Sequence, residues 1–240
     1  MMSRPPFSLG FPSEQAQSAY YPGDQRISRD EIALVSQALE ERSIYPENTR
    51  IRKMYQTEPP VFEVLQASVE SGGLTQEFRL PDSKGIVHIV RGDHSKELAL
   101  ICSSLAEASN YAANEKQKTF LAQYVESFRT GSLHAYRDSQ RTWISDKGPR
   151  VENIFGFVEP YRDPYGIRAE FEGLVAISDI EETKILSLLV ENSDKFIRRL
   201  PWTDSRSLEN DGKGPFEKAL FEPPDFTSIH SMYHCHDRHA

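Results

Sequence analysis

The sequence predicts an α+β fold in which helices pack around a partial antiparallel β-sheet or barrel. Three observations carry that prediction. Apolar residues recur at helical spacing in several stretches after Ser28, and short pieces rich in Val, Ile and Phe, broken by Gly and Pro, fill Ile51 to Val90. A further pair of extended pieces flanks the turn Arg162-Asp163-Pro164-Tyr165-Gly166. At 240 residues the chain is long enough for one sizeable domain with a buried core.

The elements follow in order. Residues 1–19 carry Pro, Ser and Gln without a stable period and are expected to be a disordered or irregular leader. Ser28 and Glu31 have the spacing of a capping box, with Ile27 and Ile32 placed to staple across it, and Ile32, Val35 and Leu39 share one helical face that ends near Arg42. Val61–Leu65, Glu77–Leu80 and Ile86–Val90 are expected as strands. Asp93 is expected to cap a helix with Leu98, Ile101, Cys102, Leu105 and Ala108 on its apolar face. A second helix carries Phe120, Leu121, Tyr124, Val125 and Phe128 and stops at Gly131, and Ser132 starts a third with Leu133, Tyr136 and Trp143 facing inward.

Val151–Glu159 and Arg168–Ser178 are the two arms of a hairpin around the Pro/Gly turn. A last helix is expected from about Glu181 to Leu200, its inner side made of Ile185, Leu189, Phe196 and Leu200. Beyond Pro201 lies a polar loop containing the turn Gly212-Lys213-Gly214, then a stretch whose Phe216, Phe221 and Phe226 are expected to pack on the body.

Composition narrows the function classes. Lys and Arg number 28 against 36 Asp and Glu, a net charge of −8, so a nucleic-acid partner has no compositional support. No apolar run approaches membrane-spanning length, and the proline-bearing start does not have the form of a signal peptide. Two distant cysteines, Cys102 and Cys235, form no disulfide framework, which fits a reducing, cytoplasmic setting. Cys102, on the apolar face of its helix, reads as a structural thiol. His88, His94 and His134 have no carboxylate or thiol partner in the local sequence and read as structural or exposed.

Two constellations could carry chemistry. In an extended backbone Glu159 and Tyr161 point to the same side, and Glu172 on the opposite arm could approach them. Glu159 could then accept a hydrogen bond from a ligand ammonium, and the Tyr161 hydroxyl could donate to a carbonyl that gains negative charge. The pattern alone favours a solvated strand face, since Arg168, Glu170 and Glu172 alternate with apolar residues as in any half-exposed strand. The second constellation is the tail, with His230, His234, Cys235, His236 and His239; its consecutive donors suit a frayed terminus better than a tetrahedral metal site. No His is followed directly by Glu, so the chain has no zincin helix, and no Gly-x-Ser-x-Gly elbow occurs.

The hairpin sequence Gly156-Phe157-Val158-Glu159-Pro160-Tyr161-Arg162-Asp163-Pro164, with Arg168-Ala169-Glu170-Phe171-Glu172-Gly173, resembles the dipeptidyl peptidase III family, particularly its fungal forms. The resemblance extends through Tyr45-Pro46-Glu47-Asn48-Thr49-Arg50, Arg91-Gly92-Asp93, Tyr111-Ala112-Ala113-Asn114, Glu126-Ser127-Phe128, Asp146-Lys147-Gly148-Pro149 and Pro224-Asp225-Phe226-Thr227-Ser228, over roughly residues 20–231. That family consists of two-lobed zinc exopeptidases that release dipeptides from the N-termini of short peptides. The resemblance implies that residues 20–231 are part of the β-barrel lobe and residues 232–240 a tail foreign to the family. It further implies that Glu159 anchors the ammonium of the peptide, that Tyr161 is the catalytic phenol at the scissile carbonyl, and that Glu172 lines the same site.

The zinc helix, its later ligand and the catalytic histidine of the family have no counterpart in this chain, and neither does the family's asparagine segment. The expectation is therefore an internal fragment of the barrel lobe that keeps part of the peptide-binding face, binds no zinc specifically and is inactive alone. Its expected partners are short peptides and the missing zinc lobe, with neither nucleic acid nor membrane. The alternative is a non-catalytic peptide-binding or inhibitory module.

Overall fold

In the computed structural model the described residues are 18–55, 57–197, 199–201, 203 and 227–236. The leader, apart from residues 18 and 19, lies outside them, as do the turn at 212–214, Phe216, Phe221 and Phe226, and His239. The chain divides into two compact units, one drawn from residues 1–146, 154–173 and 234–240 and the other from 147–153 and 174–233.

The first helix, α1 (Arg29–Glu40), begins at the expected capping box. Ser28 Oγ accepts the Glu31 N–H at 3.2 Å, and the Glu31 carboxylate accepts the Ser28 N–H at 2.8 Å. Ile27 and Ile32 are both buried on either side of that cap. Strands β1 (Thr49–Lys53), β2 (Val61–Ala67), β3 (Gly73–Arg79) and β4 (Ile86–Asp93) form one sheet in the order β1-β2-β4-β3. The α+β class stands, with one correction to the sheet. β1/β2 and β3/β4 are antiparallel, but the central pair β2/β4 is parallel, and the sheet is open instead of closing into a barrel.

Side-chain character explains that order. β2 and β4 are rich in Val, Ile and Phe and supply Phe62, Val64, Val87 and Ile89 to the core, whereas β3 is exposed along almost its whole length and takes an edge. Ile32, Val35 and Leu39 of α1 pack onto this sheet with no exposure. Each such aliphatic side chain contributes on the order of 1.5–3 kcal/mol when removed from water.

The next three helices are α2 (Ser95–Ala108), α3 (Glu115–Thr130) and α4 (Leu133–Trp143). Asp93 does not cap α2. Its two carboxylate oxygens take the Arg50 guanidinium at 2.8 and 2.6 Å, and His94, in the left-handed region, occupies the cap position without a side-chain bond. Leu98 and Leu105 are buried as expected, but Ala108 is exposed. Asn114 caps α3 and Ser132 caps α4, and Gly131 closes α3 at a φ of 77°, a conformation that suits glycine. Phe120, Leu121, Tyr124 and Phe128 of α3 form the centre of a second core.

Strands β5 (Val151–Glu159), β6 (Glu170–Ser178) and β7 (Ile229–His236) form the second sheet, in the order β5-β6-β7. The two arms expected around the Pro/Gly turn are therefore paired strands. The tail is not frayed through His236, because His230, His234, Cys235 and His236 lie on β7. The expected helix over 181–200 is two helices, α5 (Ile180–Glu191) and α6 (Ser193–Ile197). Asn192 breaks it, with its backbone and side-chain N–H groups both on the Leu188 carbonyl, at 3.3 and 2.7 Å. The residues expected on its inner side are largely exposed, Ile185 at 60%, Leu189 at 44% and Phe196 at 47%, whereas Ile197 is buried. No helix among the described residues is long and apolar enough to cross a membrane.

In the first unit, β5 is fitted to the aromatic core by a glycine. Tyr124 Oη accepts the Phe155 N–H at 3.2 Å, and Gly156, at a φ of 147°, lies so close to the Tyr136 ring that an added Cβ would stand 2.6 Å from it. Gly156→Ala is therefore expected to destabilise the fold by about 1–3 kcal/mol. Urea unfolding of the variant, alone and combined with Tyr136→Ala, should show coupling between the two positions.

Candidate functional site

The segment from Glu159 to Glu172 holds all three side chains singled out by the resemblance. Glu159 is the last residue of β5, and Pro160–Arg162 forms a single 3-10 turn. Proline fixes φ near the helical value and has no N–H to continue the strand ladder, so the extended backbone ends here. The two-residue rule that would have put Glu159 and Tyr161 on one side therefore does not apply. Tyr161 reaches β6 instead, where its hydroxyl donates to Oε1 of Glu170 and also lies 3.1 Å from Oε1 of Glu172. One hydroxyl carries one proton, so the closer Glu170 takes it.

Glu170 is the buried member of this group. Only 4% of it is exposed, and its Oε2 lies 2.9 Å from Arg162 Nε, close enough for an ion pair but off the line that a hydrogen bond requires. Tyr161 is 64% exposed, yet its phenol is held well above the usual tyrosine range, first by the hydrogen bond to Glu170 and then by slight desolvation and the bond to Glu172. A phenolate here would face two carboxylates. The oxygen thus stays protonated.

The turn is moored from beneath by Asp163. Its Oδ1 accepts the Tyr21 hydroxyl at 2.6 Å and the Tyr165 N–H at 3.0 Å, and its Oδ2 accepts the N–H groups of Ile167 and Arg168 at 3.1 and 2.9 Å. Arg168 is fully buried, its guanidinium 4.0 Å from Asp163 Oδ2 and 3.4 Å from both Tyr21 Oη and Ser36 Oγ. Burial pushes the Tyr21 phenol far upward, against the opposing pull of Arg168. Next in the chain, the Ala169 N–H donates to the Glu47 carbonyl at 2.9 Å. These bonds tie the start of β6 to α1 and to the approach to β1.

The three predicted residues are distributed unequally. Tyr161 and Glu172 are brought together; Glu159 is exposed at the end of β5 and makes no hydrogen bond or ion pair among the described residues. Sequence reasoning gave no site role to Glu170, which holds the phenol, to Arg162, which pairs with Glu170, or to Asp163, Arg168 and Tyr21, which hold the turn. Alternation along β6 does not reveal Glu170, because it puts Glu170 on the same side as Glu172; only burial at the start of the strand separates the two.

The other candidates resolve simply. The Cys102 thiol is half-buried, pushed upward by desolvation, and lies 3.8 Å from the Val125 carbonyl it faces, as suits a structural thiol. His88 has a partner that local sequence could not show: it stands opposite Glu77 across β3/β4, with Nε2 3.1 Å from the carboxylate. Among the described residues, no group of three or more His, Cys, Asp or Glu side chains is placed to hold a metal ion.

The sequence profile of peptidase family M49 matches residues 1–237. Among curated proteins, the chain is 37% identical over 212 residues to dipeptidyl peptidase 3 of Dictyostelium discoideum, covering 88% of this chain and 28% of that protein. It is 34% identical over 220 residues to dipeptidyl peptidase 3 of Homo sapiens, again covering 88% of this chain and 28% of the relative. Among solved structures, DPP III from Caldithrix abyssi superposes with a TM-score of 0.51 at 23% identity, over 80% of this chain and 32% of that one, a likeness of fold. The chain spans less than a third of the length of these relatives.

The mooring makes unequal demands on its two charged residues. Asp163→Ala would strand three backbone N–H groups and leave the Arg168 charge buried without its carboxylate, and is expected to cost about 3–5 kcal/mol. Arg168→Met removes the buried charge while Asp163 keeps its four donors, and is expected to cost clearly less. Urea denaturation followed by circular dichroism measures both.

Proposed function

Since the chain belongs to peptidase family M49, we propose that it carries part of the peptide-binding face of a dipeptidyl peptidase, with the segment 159–172 as the contact for the N-terminus of a short peptide. The observation that carries this reading is the grouping of Tyr161 with Glu170 and Glu172 on a moored turn beside the exposed Glu159. A peptide ammonium needs carboxylate acceptors that are accessible without unfolding, and Glu159 and Glu172 meet that need. Glu159 anchors the ammonium, and Glu172 adds negative potential beside it.

Tyr161 is the group with an acid–base role. While its O–H donates to Glu170, the phenol oxygen accepts from a peptide N–H; to donate to a scissile carbonyl, the hydroxyl must turn away from Glu170. Its ordinary contribution as such a donor is about 10²–10³ in rate. That is too little to sustain hydrolysis alone. The resemblance implies that the full-length family would use a zinc ion to activate water, and no donor set for one stands among the described residues. The chain by itself is therefore proposed to bind short peptides in a cytoplasmic setting without turning them over.

Two measurements test this. Calorimetric titration with a tetrapeptide should show binding that weakens about tenfold or more on N-terminal acetylation of the peptide or in Glu159→Gln, as loss of a charge-assisted hydrogen bond requires. Equal affinity for free and acetylated peptide would rule out the ammonium anchor. In parallel, the purified chain with added zinc is expected to release no dipeptide from a chromogenic dipeptidyl substrate. Zinc-dependent release would overturn the claim that it binds without turnover.

A further inference from the structure

The phenol of Tyr161 presents a physical puzzle: it is 64% exposed, yet its hydroxyl is committed to a carboxylate that is 4% exposed. An exposed tyrosine normally rotates freely about its side-chain bonds and shares its proton with water. Here the acceptor sits on β6, paired in the second sheet, while the donor sits on a one-turn 3-10 segment whose mooring runs through Asp163 and not through Tyr161 itself. The Glu170 carboxylate is thus the fixed point. It faces Tyr161 through Oε1 and Arg162 through Oε2, and these two side chains are neighbours on the same turn, with the guanidinium 6.0 Å from the Tyr161 ring centre.

We propose that Glu170 is the positioning residue of this site: its buried carboxylate pins Tyr161 and Arg162 to β6 and keeps the phenol proton in place. The inference rests on the reading of Tyr161 as the phenol of a peptide-binding face. Glu170 itself is too deep to meet a peptide and acts only through Tyr161. Glu172, at 3.1 Å and more exposed, is the weaker acceptor and stays available to a ligand. The arrangement gives the two carboxylates of β6 separate tasks, one holding the phenol and the other facing outward. Their two-residue spacing puts both on one side of the strand, and the difference in burial along it separates their roles.

The charged groups around the phenol all act in a known sense. Glu170 and Glu172 both disfavour the phenolate, the hydrogen bond to Glu170 most strongly. Removing the Glu170 charge therefore frees the hydroxyl and takes away the larger of the two influences that disfavour the phenolate. The direction of the effect is unambiguous.

Nitration by tetranitromethane reads this directly, since it follows the phenolate fraction, and peptide mapping by mass spectrometry reports each tyrosine separately. In the full 240-residue chain at mildly alkaline pH, Tyr161 is expected to react about tenfold or more slowly than the exposed Tyr111, despite its own exposure. Glu170→Gln should raise the Tyr161 rate about tenfold or more, and Glu172→Gln by less. Equal rates for Tyr161 and Tyr111 in the unsubstituted chain would overturn the proposal, as would an unchanged rate in Glu170→Gln or a larger rise in Glu172→Gln. Circular dichroism checks that each variant folds; if Glu170→Gln does not, the Tyr161-to-Tyr111 ratio in the unsubstituted chain still decides. The peptide titrations are independent of this readout. Lost ammonium dependence with the nitration order intact would remove the binding reading and leave the positioning role, and the opposite pair of results would do the reverse.

Discussion

The placement of the site depends on one buried contact, the Asp163 carboxylate with the Tyr21 hydroxyl and the Arg168 guanidinium. A fully buried guanidinium is costly, and its contacts here are long, at 3.4 to 4.0 Å, with its Nε lacking a partner among the described residues. Its net contribution to stability is accordingly small. Its contribution to geometry is large, because Asp163 can satisfy three backbone N–H groups only when the turn closes in one way, and Tyr21 and Ser36 accept that turn at only one position against α1. Every bond that Tyr161 makes to β6 presupposes that closure.

The two cores of the first unit hold the segment from opposite ends. Tyr165 packs against the core built on α1 and the first sheet, while Phe155, Phe157 and Phe171 pack against the one built on α3. Phe171 stands edge-on to Phe157 with ring centres 5.3 Å apart, which turns the neighbouring Glu170 and Glu172 to the other side of β6. Apolar packing therefore decides where the acidic residues go. The site's polarity follows from the contacts of its apolar neighbours, and Gly156 admits the strand to that packing by leaving room for Tyr136.

Much of the fold was legible in the sequence because its signals are local. The capping box at Ser28, the serine start of α4, the glycine stop at 131 and the two arms around the Pro/Gly turn each depend on residues within a few positions of one another. The failures are equally consistent. Asp93 was read as a cap and is taken by Arg50, which lies 43 positions away; His88 was read as unpartnered and meets Glu77 across a strand pair; the sheet order, with β4 between β2 and β3, is a matter of which strand can afford exposure. The break at Asn192 was within local reach and was outweighed by an apolar period that continues past it.

The candidate site divides along the same line. Sequence alone determined that a charged, phenol-bearing turn lies between two strands, that Glu159, Tyr161 and Glu172 share it, and that its residues match those of one peptidase family. Such statements need only residue types and their order. Tertiary structure alone decided that Tyr161 leaves the side of Glu159 for that of Glu172, that Glu170 is the buried acceptor of its proton, and that Asp163 and Arg168 hold the turn that makes this possible. Those outcomes depend on burial and on partners up to 147 residues apart in the chain, where a hydrogen bond exists only because the core has already brought its ends together.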